Sequence, residues 1–387
     1  MPLHHTTGPA VTPRDPVTHS LHTRLRSSFV LIAVVVTLVC GSAFAETLVV
    51  GQVAELSGQD VVADNVAGAT LWFDHLNKDT RAAHTYVLKQ YDDKRDPKLT
   101  LEYTHRLVDV DNAIALFGYR STPSLDALSK ELDAMNIALV APFNGSDAVR
   151  HNARNAFFLR GTYKDEAGRL VEQITTLGIR KVAVVYQEDA FGKEGLDGYV
   201  TALKARGIEP IALLSYDRKT LDTTHVVAEM LRHDPVATLM ACTPKACANI
   251  VRSVRETNSR MLIGVLSNAV NEEFIKAVAP TGRGLLMSQV IPYPWNVSLP
   301  IVREFNQINK QSGNKAPLSY ASLEGFAAAR LLTEAVRRTG SKPTRDSVLA
   351  ALRGMKKFDL GGIHFNAEGQ NYFTEVTTLG RNGKIIR

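Results

Sequence analysis

The chain has 387 residues, a net charge of +6, 45% hydrophobic residues and 22% charged residues. That length exceeds one ordinary core and points to two or three domains of globular composition. No Lys/Arg run with interleaved aromatics is present, which argues against nucleic acid as a partner.

The first 45 residues read as a leader. Arg24 and Arg26 precede an apolar run from Phe29 to Val39, and Ala43-Phe44-Ala45 offers a small-x-small cleavage site. Positive region, apolar core and cleavage motif in that order describe a secretory signal peptide. The run is too short for a membrane span, which needs about 20 residues. Cleavage after Ala45 would remove three arginines and one aspartate, leaving +4. Residues 1–20 are an unusual polar stretch, read either as pre-signal sequence or as an early start codon. Cys40 follows Val39 rather than the small residue a lipobox requires, so ordinary cleavage is expected over lipid anchoring. No later segment is apolar enough to span a bilayer. The expected location is outside the cytoplasm, in the periplasm.

Beyond the leader, short apolar runs alternate with amphipathic stretches. Strands are expected at Thr47–Val53, Val87–Asp92, Ala113–Tyr119 and Ile137–Phe143. Helices are expected at 64–77, from Pro97 to about Val108, and at 123–135. This βαβαβαβ order implies a parallel, doubly wound sheet. Around Asn155–Tyr163 the pattern pauses and restarts. Helices 164–177, 191–206, 224–231, 244–256 and 271–278 then alternate with strands 181–186, 211–216, 236–242, 261–266 and 285–291. Pro292, Pro294 and Pro300 punctuate a crossing segment. Two helices follow, 301–311 and 320–338, then a helix capped by Thr344 and terminal strands at 361–365 and 374–379. The fold class is therefore α/β, with two successive Rossmann-like units.

Catalytic signatures are absent. There is no G-x-G-x-x-G turn, P-loop or G-x-S-x-G elbow, and the histidines show no paired-ligand spacing. No enzyme activity, cofactor or metal is expected. Cys242 and Cys247 lie across a strand-to-helix turn; export would permit a disulfide, and without a nearby His they do not fill a tetrahedral metal site. Asp92-Asp93 reads as a solvated strand end before the turn at Pro97.

Ligands of open α/β sheets sit beyond the carboxyl ends of strands. Those ends carry Ser57, then Ser121 and Thr122, then Asn144, Gly145 and Ser146. Hydroxyl and small residues just before helices serve equally as N-caps and as parts of an anion site.

The chain resembles the type I periplasmic binding proteins of the leucine/isoleucine/valine-binding family. The likeness runs through Leu56-Ser57-Gly58, Tyr91-Asp92-Asp93 with Asp96-Pro97, Phe117-Gly118 with Ser121-Thr122, and Val140-Ala141-Pro142 with Asn144 to Ser146. It continues through Val184-Val185-Tyr186 with Asp189 to Gly192, the helix after Tyr320, and Phe358 to Phe365 with Glu368-Gly369. The resemblance implies a two-lobed clamp with three hinge crossovers: lobe one at 46–163 plus 293–355, lobe two at 164–292 plus 356–387. It implies a small-molecule ligand, a monomer, and delivery to an ABC transporter permease; a ligand-sensing module for a membrane receptor is the alternative. It also implies that Ser121, Thr122, Asn144, Gly145 and Ser146 hold a ligand carboxylate. Phe191 stands where an aromatic closes over the ligand, Thr243 where another aromatic is common, and Ser267 in the segment that usually supplies a carboxylate for a ligand ammonium. That segment holds none here, which favours a neutral or carboxylate-bearing solute. Arg120 sits on the loop rim.

Overall fold

The computed structural model describes residues 45–57, 62–80, 82–369 and 372–387. The expected signal peptide lies outside the described residues. The first lobe opens with β1 (Glu46–Ala54), α1 (Val62–Leu76), β2 (His84–Asp92), α2 (Pro97–Asp109), β3 (Ala115–Phe117) and α3 (Thr122–Ser129). It continues with β4 (Leu139–Val140), α4 (Asp147–Asn152) and β5 (Ala156–Phe157). Its five strands are all parallel, in the order β2-β1-β3-β4-β5.

The second lobe contains α5 (Tyr163–Thr176), β6 (Val182–Gln187), α6 (Ala190–Lys204), β7 (Ala212–Tyr216), α7 (Thr224–His233) and β8 (Ala237–Ala241). It continues with α8 (Pro244–Glu256), β9 (Leu262–Val265), α9 (Glu272–Val278) and β10 (Leu286–Gln289). The chain then returns to the first lobe for α10 (Pro300–Gln311), α11 (Tyr320–Arg338), α12 (Arg345–Gly354) and the hairpin β11 (Phe358–Asp359) and β12 (His364–Phe365). Finally β13 (Glu375–Leu379) and β14 (Ile385–Ile386) join the second sheet antiparallel, giving β14-β13-β10-β9-β8-β6-β7. The chain thus crosses between lobes three times, near 158–162, 290–299 and 366–374.

One boundary differs from expectation. Segment 356–387 is divided, because Leu360, Ile363 and Phe365 bury in the first lobe's core, and Arg330 Nη1 donates to the Leu360 carbonyl. Only β13 and β14 join the second lobe.

Return helix α11 is buried along most of its length because it lies directly on α1. The approach depends on two glycines. A Cβ on Gly68 would meet the Ser322 carbonyl oxygen at 1.9 Å, and one on Gly325 the Asn65 carbonyl oxygen at 1.9 Å. No side chain fits either place, so the small residues let the returning helix seal the first core. Cys242 and Cys247 are disulfide-bonded, with Cα atoms 5.5 Å apart, across the β8–α8 turn. Among the described residues, no helix is long and apolar enough to cross a membrane.

Candidate functional site

Strand ends from the two lobes face each other across a cleft. The first lobe contributes Glu55 after β1, Asp93 and Arg95 after β2, and Arg120, Ser121 and Thr122 after β3. The second contributes Tyr163, Gln187, Asp189, Phe191, Arg218, Thr243 and Asn268.

Ser121 is the N-cap of α3, yet its side chain makes no cap hydrogen bond. Its Oγ is buried and has no hydrogen-bond partner. A buried hydroxyl without a partner carries a desolvation cost of about 1–3 kcal/mol, which a solute acceptor or donor in the cleft would relieve. Beside it, the Thr122 side chain is hydrogen-bonded to the Tyr163 hydroxyl. Burial raises the Tyr163 pKa, so the phenol stays neutral. The Tyr163 ring meets Phe191 edge to face, centroids 5.1 Å apart, forming an aromatic wall on the second-lobe side.

Asn144, Gly145, Ser146 and Ser267 do not line this cleft; each is occupied in holding it. Asn144 Nδ2 donates to the Arg120 carbonyl (2.7 Å) and to Thr122 Oγ1 (2.8 Å), while its Oδ1 accepts from Ser146 N (2.8 Å). It fixes the loop that presents Ser121. Gly145 accepts from Tyr163 N at 2.8 Å, and an added Cβ would stand 2.9 Å from that nitrogen. Ser146 caps α4 and donates across the lobes to Glu194. Ser267 N donates to Glu166 Oε2 (2.7 Å), and its Oγ accepts from Arg160 (3.5 Å). Ser57 is exposed, and its side chain is hydrogen-bonded to Asp92. Of the expected residues, the structure brings together Ser121, Thr122, Phe191 and Thr243.

The charged lining was the part least visible in sequence. Asp93, expected to be solvated, is 2% exposed. It accepts from Arg95 N (2.9 Å) and Thr100 Oγ1 (2.7 Å), and burial pushes its pKa up. Glu55 pairs with Arg95. In the second lobe Asp189 caps α6, accepting from Gly192 N at 3.1 Å, and accepts from Gln187 Nε2 at 2.6 Å. Tyr216, its pKa pushed up to about 12 by burial, donates to Gln187 Oε1 (3.0 Å) and accepts from Thr243 N (3.1 Å). Arg120 Nη2 crosses the cleft to the Asn268 carbonyl at 3.1 Å. Gln187 and Arg218 stand at or just past second-lobe strand ends; reading those ends as closely as the first lobe's would have found both.

Two lobes with parallel-dominated sheets, three crossings and a polar cleft at their strand ends define the two-lobed solute-binding fold. The chain belongs to the periplasmic binding protein family, whose model matches residues 47–381. It is similar to a substrate-binding periplasmic protein from Ralstonia solanacearum, with 30% identity and TM-score 0.82 over 88% of this chain and 99% of that one. A branched-chain amino acid ABC transporter protein from Thermus thermophilus with bound valine shares the fold, with 16% identity and TM-score 0.79 over 89% and 95% of the two chains. An amino acid binding protein from Pseudomonas aeruginosa is 22% identical over 251 residues. That match covers 62% of this chain and 66% of the relative, just under two thirds.

Proposed function

We propose that the chain captures a small carboxylate-bearing solute, an amino acid or an organic acid, between its lobes and delivers it to the permease of an ABC transporter. The observation that carries this reading is Ser121 Oγ, buried without a partner at an uncapped helix start inside the cleft. A carboxylate accepting from that hydroxyl and from Arg120 would be covered by the Tyr163–Phe191 wall of the other lobe. Thr122 shapes the floor, and Thr243 lines the far side.

The three crossings serve as hinges, and a solute touching both lobes favours the closed form. Lobe one is then 46–162 with 300–365, and lobe two 163–289 with 375–387. The leader fits export to the periplasm, and the protein acts there as a monomer. Names of relatives support an amino acid as one solute class. Calorimetric titration with amino acids, aromatic acids and short organic acids tests this. Saturable one-to-one binding of at least one is expected; a folded sample that binds none refutes it.

A further inference from the structure

Resting on that reading, we propose that the solute carries two anionic groups, the second of which is received by Arg218 of the second lobe. Arg218 lines the cleft, and its side chain is 26% exposed. Its ion-pair partner, Asp189 Oδ2, is 3.7 Å from Nη1, close enough for an ion pair but beyond hydrogen-bond distance. Asp189 is meanwhile already engaged by Gly192 N and Gln187 Nε2. Among the described residues no hydrogen bond is made by the Arg218 guanidinium. It therefore presents a planar fork of N–H donors suited to a carboxylate.

Position supports a second site separate from the first. Ser121 follows β3, inside the first sheet, whereas Arg95 follows β2 and Arg218 follows β7, each the edge strand of its sheet. A solute anchored at Ser121 would extend along the cleft toward that edge. Beyond Arg95 and Arg218 the cleft opens into a wider vestibule, whose charged lining adds Lys245, Arg252 and Lys276 against Glu273. With Arg95, Arg218 and Glu55 included, five cations and two carboxylates line it; Arg95 pairs with Glu55, Arg218 with Asp189 and Lys276 with Glu272, which leaves Lys245 and Arg252 as the cations without an ion pair among the described residues. Such a mouth concentrates anions and speeds their entry. An acidic amino acid and a plain dicarboxylate both meet this requirement.

Three matched pairs test it: succinate with butanoate, glutarate with pentanoate, and L-glutamate with L-leucine, titrated calorimetrically at low ionic strength. The two-carboxylate member of at least one pair should bind about tenfold or more tighter, as a charge-assisted fork implies. Arg218→Gln should erase that preference, the two-carboxylate member losing about tenfold or more in affinity. Arg218→Lys, which keeps charge but loses the fork, should retain part of it and controls for folding. Equal or tighter binding of the one-carboxylate members overturns this inference and leaves the capture reading standing. So does a preference that survives Arg218→Gln. Binding of none of the six overturns this inference, and the wider titration with amino acids and aromatic acids then decides the capture reading.

Discussion

Ser146 Oγ donates a hydrogen bond to Glu194 Oε1 at 2.5 Å, joining helix α4 of the first lobe to helix α6 of the second. The other carboxylate oxygen accepts from Asp147 N at 3.1 Å. Ser146 Oγ also accepts from Val149 N at 3.2 Å, so one hydroxyl caps its own helix and latches the opposite lobe. Opening the clamp breaks these contacts, which therefore count toward closure beside the solute's own.

Glu194→Ala should shift the unliganded protein toward open forms and weaken solute binding about tenfold, the worth of one to two charge-assisted hydrogen bonds. Small-angle X-ray scattering should show a larger radius of gyration than for the native chain. An unchanged radius and affinity would refute the latch.

Acidification should favour closure. Burial raises the pKa of both Glu194 and Asp147 in the closed form, whereas opening would expose them and return ordinary carboxyl values. The closed form therefore binds protons more readily. Its advantage is full below the ordinary carboxylate range and is lost as pH rises through the raised values. Scattering between pH 4 and 7 should show compaction on the acid side, flattened by Glu194→Gln. Compaction toward neutral pH would contradict the assignment.

Behind the cleft, Arg160 Nε and Nη2 fork onto Glu324 Oε1 and Oε2 at 2.9 and 3.0 Å, with both side chains buried. The guanidinium also lies 4.2 Å from the Phe143 ring centroid. Glu324→Ala would strand that buried charge and should cost about 3–5 kcal/mol, read from denaturant unfolding. A loss below about 1 kcal/mol would mean that water reaches the site.

Two serines should separate binding from stability. Ser121→Ala removes an unpartnered hydroxyl and should weaken solute binding while leaving the melting temperature of the unliganded protein nearly unchanged. Ser146→Ala removes a helix cap and should cost about 1 kcal/mol of stability, with weaker binding through the lost latch. Calorimetry and thermal melts of both variants decide this; intact affinity in Ser121→Ala would place the solute elsewhere.

Much of the fold was legible, for local reasons. Helices α8 and α11 fall on their expected bounds, 244–256 and 320–338, because Pro244 and Ser319 mark their starts and amphipathic periodicity carries through. The helix expected over 123–135 stops at Ser129 and continues as turns to Asn136, whose φ is 50°. Leu128 and Leu132 stay buried at helical spacing, so periodicity alone misleads there. Strand β5 spans two residues, too short for any pattern.

The candidate site was legible where a hydroxyl stands before a helix, as at Ser121, and opaque where charge is tertiary. Asp93 looks like any polar strand end until Thr100 folds over it. Glu194 reads as a solvated position on an amphipathic helix until the first lobe meets it. Arg218 follows its strand without a capping signature.

A crystal structure of the protein with its tightest-binding solute tests the central claim most directly. The solute's carboxylate should lie within hydrogen-bond distance of Ser121 Oγ, with Phe191 of the other lobe covering its body. A solute bound outside this cleft, or held by one lobe alone with Ser121 Oγ still unpartnered, would contradict capture between the lobes.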